Sequence, residues 1–112
     1  MEKHAKVVVI GGGVVGCSIL FHLAKFGLKD CILLERNELT SGSSWHAAGS
    51  VHAISSDPNI SKLMAYTIKL YKEIEETSGQ SVGFKPSGGF YLASNEVWHD
   101  YLKRERSKAR YM

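Results

Sequence analysis

Val7-Val8-Val9-Ile10-Gly11-Gly12-Gly13-Val14-Val15-Gly16, followed after a helical segment by Ile32-Leu33-Leu34-Glu35, decides the reading of this 112-residue chain. The first aliphatic run, closed by glycine, reads as a buried strand, the apolar segment after it as a helix, and the second aliphatic run as a further strand. Strand, glycine turn, helix and a strand ending in an acid make the βαβ opening of a dinucleotide-binding domain. Gly11 makes the tight turn, Gly13 leaves room for a pyrophosphate against the backbone, and Gly16 lets the helix pack close to the strand. At the helix start, the backbone N–H groups of Val14 and Val15 offer the phosphates unpaired donors and the positive end of the helix dipole. Glu35 stands nineteen positions beyond Gly16. There its carboxylate accepts hydrogen bonds from ribose hydroxyls and repels a 2′-phosphate, which argues against NADP. The bland alternative is a structural βαβ unit with a solvated Glu35.

Composition bounds the remainder. A hydrophobic content of 44% and no low-complexity tract allow one ordinary globular core. Cys17 in the first helix and Cys31 at the second strand lack CxxC spacing and read as buried thiols in a reducing compartment. The six residues before the first strand are too few for a signal peptide, and no aliphatic run is long enough to cross a bilayer, so a cytoplasmic protein without membrane contact is expected. Residues 1–99 carry nine basic and nine acidic side chains; the net charge of +3 comes from Lys103, Arg104, Arg106, Lys108 and Arg110 against Asp100 and Glu105. That tail reads as a solvated helix face, not a nucleic-acid site.

The pattern predicts an α/β chain with a βαβ core over 6–36, a loop over 40–50, a helix over 58–78, and a hairpin and last helix over 82–112. The first helix, to about Phe26, is apolar nearly all round, which predicts cover on more than one side. His22 within it reads as a satisfied core or edge histidine. Gly27 ends the helix in a left-handed cap. Asp57-Pro58 reads as an N-cap followed by Pro at the first helical position. The helix they open sets Ile60, Leu63, Met64, Thr67, Leu70, Tyr71 and Ile74 on one face, and Gly79 closes it. Residues 82–85 and 90–93 read as short strands around Pro86-Ser87-Gly88-Gly89, with Ser94 capping a final helix that carries Val97, Trp98, Tyr101 and Leu102.

After Glu35 comes a loop, Arg36-Asn37-Glu38-Leu39-Thr40-Ser41-Gly42-Ser43-Ser44, rich in hydroxyls and leading into Trp45-His46-Ala47-Ala48-Gly49. Such a turn presents backbone N–H groups and hydroxyls as a second anion and ribose clamp, with an indole and an imidazole near the cofactor. This block closely resembles the dimethylglycine and sarcosine dehydrogenase family, within the D-amino-acid-oxidase-like FAD oxidoreductases. The resemblance extends through Gly83-Phe84 and Gly88-Gly89-Phe90-Tyr91-Leu92-Ala93. It implies a Rossmann-like FAD/NAD(P)-binding start with peripheral helices and a small β-hairpin.

The resemblance further implies that Gly11, Gly13, Val14, Val15 and Gly16 hold the pyrophosphate and Glu35 the ribose, with Arg36 flanking the adenosine. Ser43 and Ser44 would close the loop over the phosphates or the ribityl chain, and Gly42, Ala48 and Gly49 are further cofactor-binding candidates. His46 is the candidate for covalent attachment to the 8α carbon of FAD, since neutral imidazole is a nucleophile near pH 7. The alternative for His46 is a loop histidine packed on a non-covalent flavin. The reaction implied is oxidation of a small-molecule N-methyl amine acid, with hydride passing to flavin N5 and the iminium hydrolysing or being trapped by folate. No catalytic residue is assigned within this chain, and no metal site is expected; His4, His52 and His99 match no motif.

Members of that family are several times longer. Two parallel strands alone leave a sheet open at its edges, so the expectation is an incomplete domain, marginally stable and inactive by itself, as an amino-terminal fragment or one part of a split enzyme. Two other readings stand beside the flavin enzyme. A non-catalytic or regulatory flavin-binding relative would release FAD on denaturation, and an unrelated NAD-binding module would bind NAD without FAD.

Overall fold

The structure, a computed structural model, describes residues 4–110. Residues 1–3, which precede the expected βαβ core, and residues 111–112, which end the expected last segment over 82–112, lie outside the described residues. In order, the elements are β1 (Val7–Ile10), α1 (Val14–Lys25), β2 (Cys31–Leu34), α2 (Pro58–Ser78) and α3 (Glu96–Ala109). They fall into two compact units, one up to Gly49 and one from Ser50 onward.

In the first unit β1 and β2 pair in parallel, from Val7 opposite Cys31 to Ile10 opposite Leu34. Parallel strands need a crossover, and α1 supplies it, packing on both. Beyond β1 the ladder continues for one more bond, Gly11 N–H to the Leu34 carbonyl at 2.8 Å. Val9 is the buried centre, lying beneath Gly16 of α1, where an added Cβ would come within 3.5 Å of Val9 Cγ1. The C-terminus of α1 is closed by Gly27 at φ 89°. Its N–H bonds the Ala24 carbonyl at 2.9 Å while Leu28 N–H bonds that of Leu23 at 3.0 Å, the paired bonds of a Schellman ending.

The cover expected over several sides of α1 is not found among the described residues. Val15 is 69% exposed and Phe26 78%, and Gly16 is the buried residue of the helix. Nor are the two thiols fully buried: Cys17 and Cys31 are unpaired and half-buried, their Sγ atoms 3.5 Å from the carbonyls of Gly12 and Leu28 respectively. His22 Nδ1 lies 2.7 Å from the Ser18 carbonyl, as suits a histidine with its polar needs met at the helix edge.

In the second unit, α2 begins as its sequence dictates. Asp57 Oδ1 accepts from Asn59 N–H at 2.7 Å and Ile60 N–H at 3.1 Å, with Pro58 occupying a position whose N–H would go unpaired. At the far end Gly79, at φ 68°, donates its N–H to the Glu75 carbonyl. The inner face differs in part from the heptad-like stripe expected: Leu70 is buried, but Ile60 and Leu63 are exposed. Ser61, 3% exposed, takes an inward place because its Oγ accepts Ser55 N–H at 2.8 Å, which removes the cost of burying a hydroxyl.

Residues 82–85 and 90–93 do not form the expected small β-hairpin. Among the described residues the ladder holds β1 and β2 alone. The backbone here is bonded elsewhere: Val82 N–H donates to Glu75 Oε1 at 2.8 Å and Ser87 N–H to the Lys85 carbonyl at 2.8 Å. Gly83 and Gly88 adopt left-handed φ values of 72° and 71°, and Phe90 and Leu92 are 97% and 91% exposed. The helix that follows starts at Glu96 with Asn95, not Ser94, as its cap, since Asn95 Oδ1 accepts Trp98 N–H at 3.0 Å. In the basic tail Lys103 pairs with Asp100 at 3.1 Å and Lys108 with Glu105 at 2.7 Å, as on a solvated helix face. Among the described residues no helix is long and apolar enough to cross a membrane.

Candidate functional site

The site is built where β1 and β2 end side by side and the chain turns into α1. Gly11 passes through φ 105°, a conformation side chains rarely adopt, and so directs the backbone from β1 to the helix start. A Cβ on Gly16 would run into the Gly11 carbonyl oxygen. That is the close approach of helix to turn for which the third glycine of the motif is needed.

Gly12, in the motif's variable position, is the hub. It is buried, and its N–H donates to Glu35 Oε2 at 2.7 Å. Its carbonyl accepts Thr40 N–H at 2.9 Å. A side chain there would lie 2.6 Å from Leu39 Cδ2 and 3.0 Å from Glu35 Cβ. Sequence reasoning missed this residue because the motif assigns its position no job; the third consecutive glycine was the signal that could have found it. Thr40 was missed as well. At φ 63° it is the one non-glycine residue with positive φ among the described residues, an uncommon state for a β-branched side chain.

Glu35 follows β2 directly and is partly buried. Besides the Gly12 bond, Oε1 accepts Asn37 N–H at 2.9 Å. The Gly12 N–H first, then the Asn37 N–H, hold the carboxyl below its ordinary pKa; partial burial opposes them, and Arg36 assists through its N–H and its charge. Each carboxylate oxygen keeps acceptor capacity for a hydroxyl. Arg36 itself is exposed.

The N-terminus of α1 has no local cap, since Gly13, its N-cap residue, carries no side chain. Instead Val14 N–H donates to Ser44 Oγ at 2.9 Å, from thirty positions away. A Cβ on Gly13 would meet that same oxygen at 3.2 Å. The 40–50 loop is thus joined to the glycine turn at Thr40 and at Ser44. Ala47 N–H closes a turn onto the Ser44 carbonyl at 3.4 Å, and between them the rings of Trp45 and His46 stack with centroids 4.0 Å apart at 34°. Gly42, Ser43, His46, Ala48 and Gly49 are all exposed. The structure therefore gathers Gly11, Gly13, Val14, Gly16, Glu35 and Ser44 at one place and leaves Gly42, Ser43, Ala48 and Gly49 without a bond to it.

Residues 6–111 match the protein family described as FAD dependent oxidoreductase. The chain belongs to that family. The chain is 46% identical over 107 residues to "Dimethylglycine dehydrogenase, mitochondrial" of Homo sapiens, covering 96% of this chain and 12% of that protein. With "Sarcosine dehydrogenase, mitochondrial" of Homo sapiens it shares 44% identity over 105 residues, 93% of this chain and 11% of the relative. A third relative, "Pyruvate dehydrogenase phosphatase regulatory subunit, mitochondrial" of Mus musculus, is 35% identical over 108 residues, 96% of this chain and 12% of its own length. The chain thus spans about an eighth of the length of these relatives.

Proposed function

We propose that this chain is the FAD-binding portion of a flavin-dependent amine oxidoreductase that oxidises N-methylated amino acids such as dimethylglycine or sarcosine. The observation that carries this reading is the Glu35 carboxylate, fixed beside a side-chain-free turn at the start of α1. In a Rossmann-like arrangement of this kind, the turn over Gly11, Gly13 and Gly16 and the helix start at Val14 and Val15 hold the pyrophosphate, while Glu35 accepts from the ribose hydroxyls; the Val14 N–H, expected as an unpaired donor, is taken by Ser44 Oγ. Arg36 flanks the adenosine. Ser43 and Ser44 close the loop over the phosphates or the ribityl chain, with Gly42, Ala48 and Gly49 as further cofactor-binding residues. Bound FAD supplies the redox chemistry as acceptor of hydride from the N-methyl carbon, and this chain supplies orientation and electrostatics.

His46 is the proposed covalent anchor. Its imidazole would tether the cofactor through the 8α carbon of the flavin, holding it in place against loss. The exposed position of His46 supports access for that bond.

The exposed apolar residues Ile10, Val15, Phe26 and Leu34 support further chain packing on this unit, from the rest of a longer or split enzyme, which also holds the amine substrate. Neither nucleic acid nor a membrane is among the proposed partners. Unpaired Cys17 and Cys31 support a reducing compartment, and we propose the cytoplasm; the names of the two dehydrogenases place those proteins in mitochondria. A second reading, a regulatory flavin-binding protein without catalysis, draws on the similarity to the phosphatase regulatory subunit.

The test is the intact mass of the protein isolated from its own cells and denatured in acid, with flavin absorbance of the precipitate. A mass increased by one FAD that disappears in His46→Ala supports the covalent amine enzyme. Flavin released intact into the acid supernatant supports the regulatory reading, and NAD bound in its place overturns both.

A further inference from the structure

We propose that Ser44 is the positioning residue that sets the Trp45–His46 ring pair against the bound flavin, an inference that rests on the flavin reading above. Between residues 36 and 50 Ser44 alone is half-buried, while every other residue is exposed. Its side chain and its main chain do separate jobs. Oγ takes Val14 N–H at 2.9 Å, capping a helix that has no side-chain cap of its own. The carbonyl takes Ala47 N–H at 3.4 Å and so closes the turn whose two central residues are Trp45 and His46. Ser44 is therefore the first residue of the turn that carries the rings and, through one hydroxyl, the point at which that turn is fixed to α1.

The other attachment of the loop, Thr40 N–H to the Gly12 carbonyl at 2.9 Å, is made by backbone alone and lies four positions earlier. With the Ser44 hydroxyl removed, the turn keeps its own closing bond and its ring stack at 4.0 Å, but its position relative to the helix start is no longer held. The three residues Ser41, Gly42 and Ser43 between Thr40 and Ser44 separate the rings from the surviving bond, a span long enough to move them well out of contact with a flavin. An ordinary phosphate ligand would behave differently, since its loss weakens binding without displacing the rings once the cofactor is bound.

The experiment uses the full protein made in riboflavin-starved cells and titrated with FAD. Quenching assigned to Trp45 is read as the difference between each protein and its Trp45→Phe counterpart. At saturating FAD, Ser44→Ala is expected to lose half or more of the Trp45 quenching seen with Ser44, and Ser44→Thr, which keeps the hydroxyl, to restore it. Should Ser44→Ala not accumulate as folded protein, Ser44→Cys, which keeps only a weak acceptor, is read the same way. Unchanged quenching at saturation, with FAD affinity weakened or not, overturns the positioning role. So does an unaltered protein that binds FAD without quenching Trp45, and this result leaves the flavin reading standing. An unaltered protein that binds no FAD overturns the flavin reading and this inference with it.

Discussion

Gly12 and Glu35, 23 positions apart, are joined by a 2.7 Å hydrogen bond from the glycine N–H to the carboxylate. A second bond from Asn37 N–H at 2.9 Å makes Glu35 the tie between the glycine turn and the start of the loop. Both bonds favour the ionised carboxylate, so its folded-state pKa lies below the ordinary value. For a depressed acid, the resulting stabilisation is complete above the unfolded-state pKa of about 4.3, declines as pH falls through the folded value, and is absent below it. Glu35→Gln is therefore expected to be less stable at neutral pH, and the difference should shrink on acidification. Denaturant midpoints of both proteins followed from about pH 7 to about pH 3 check this; a gap constant with pH would locate the effect outside the charge.

Gly16→Ala places a methyl group against the Gly11 carbonyl oxygen, a backbone atom that cannot turn aside. A cost at or above the usual overpacking range of about 1–3 kcal/mol is expected. Gly42→Ala meets open space and should stay within about 0.5 kcal/mol of the unaltered protein. Thermal unfolding of the two variants side by side reads the contrast, and equal losses would contradict the close approach of α1 to the turn.

Thr40 holds φ 63°, a state that costs an L-residue about 1–2 kcal/mol. Replacement by glycine removes that strain but adds chain entropy worth about 0.5–1 kcal/mol in the unfolded state. Thr40→Gly should therefore be neutral to mildly stabilising. A loss above about 1 kcal/mol in equilibrium unfolding would mean the Thr40 side chain contributes more than its backbone N–H.

Asp57→Ala removes the acceptor of two N–H groups at the start of α2, at 2.7 and 3.1 Å. The expected loss is about 0.5–2 kcal/mol. Asp57→Asn should recover most of it, since the amide oxygen accepts the same bonds, and a melt in which both variants fall equally would argue that the cap is not the cause.

Much of this was legible in the residues because the deciding interactions are short. Asp57, Pro58 and Gly79 bound α2 through bonds reaching no more than four positions, and Gly27 closes α1 in the same way. The βαβ order followed from two aliphatic runs, a glycine turn and the acid after the second run. The expected hairpin over 82–93 failed because a strand is defined by its partner: residues of strand-like composition around Gly83 and Gly88 bond to Glu75 and to their own neighbours instead.

By itself, then, the sequence determined the element order of the first unit, the helix ends that carry their own caps, and the family to which the chain belongs. Tertiary structure alone decided that Gly12 is the hub, that Thr40 is held left-handed, and that Ser44 caps α1 from thirty positions away. The difference is one of range. A local cap or a periodic face is specified by side-chain type at fixed spacing, whereas a bond across 23 or 30 residues exists only once the intervening strand, turn and loop have brought its two ends together.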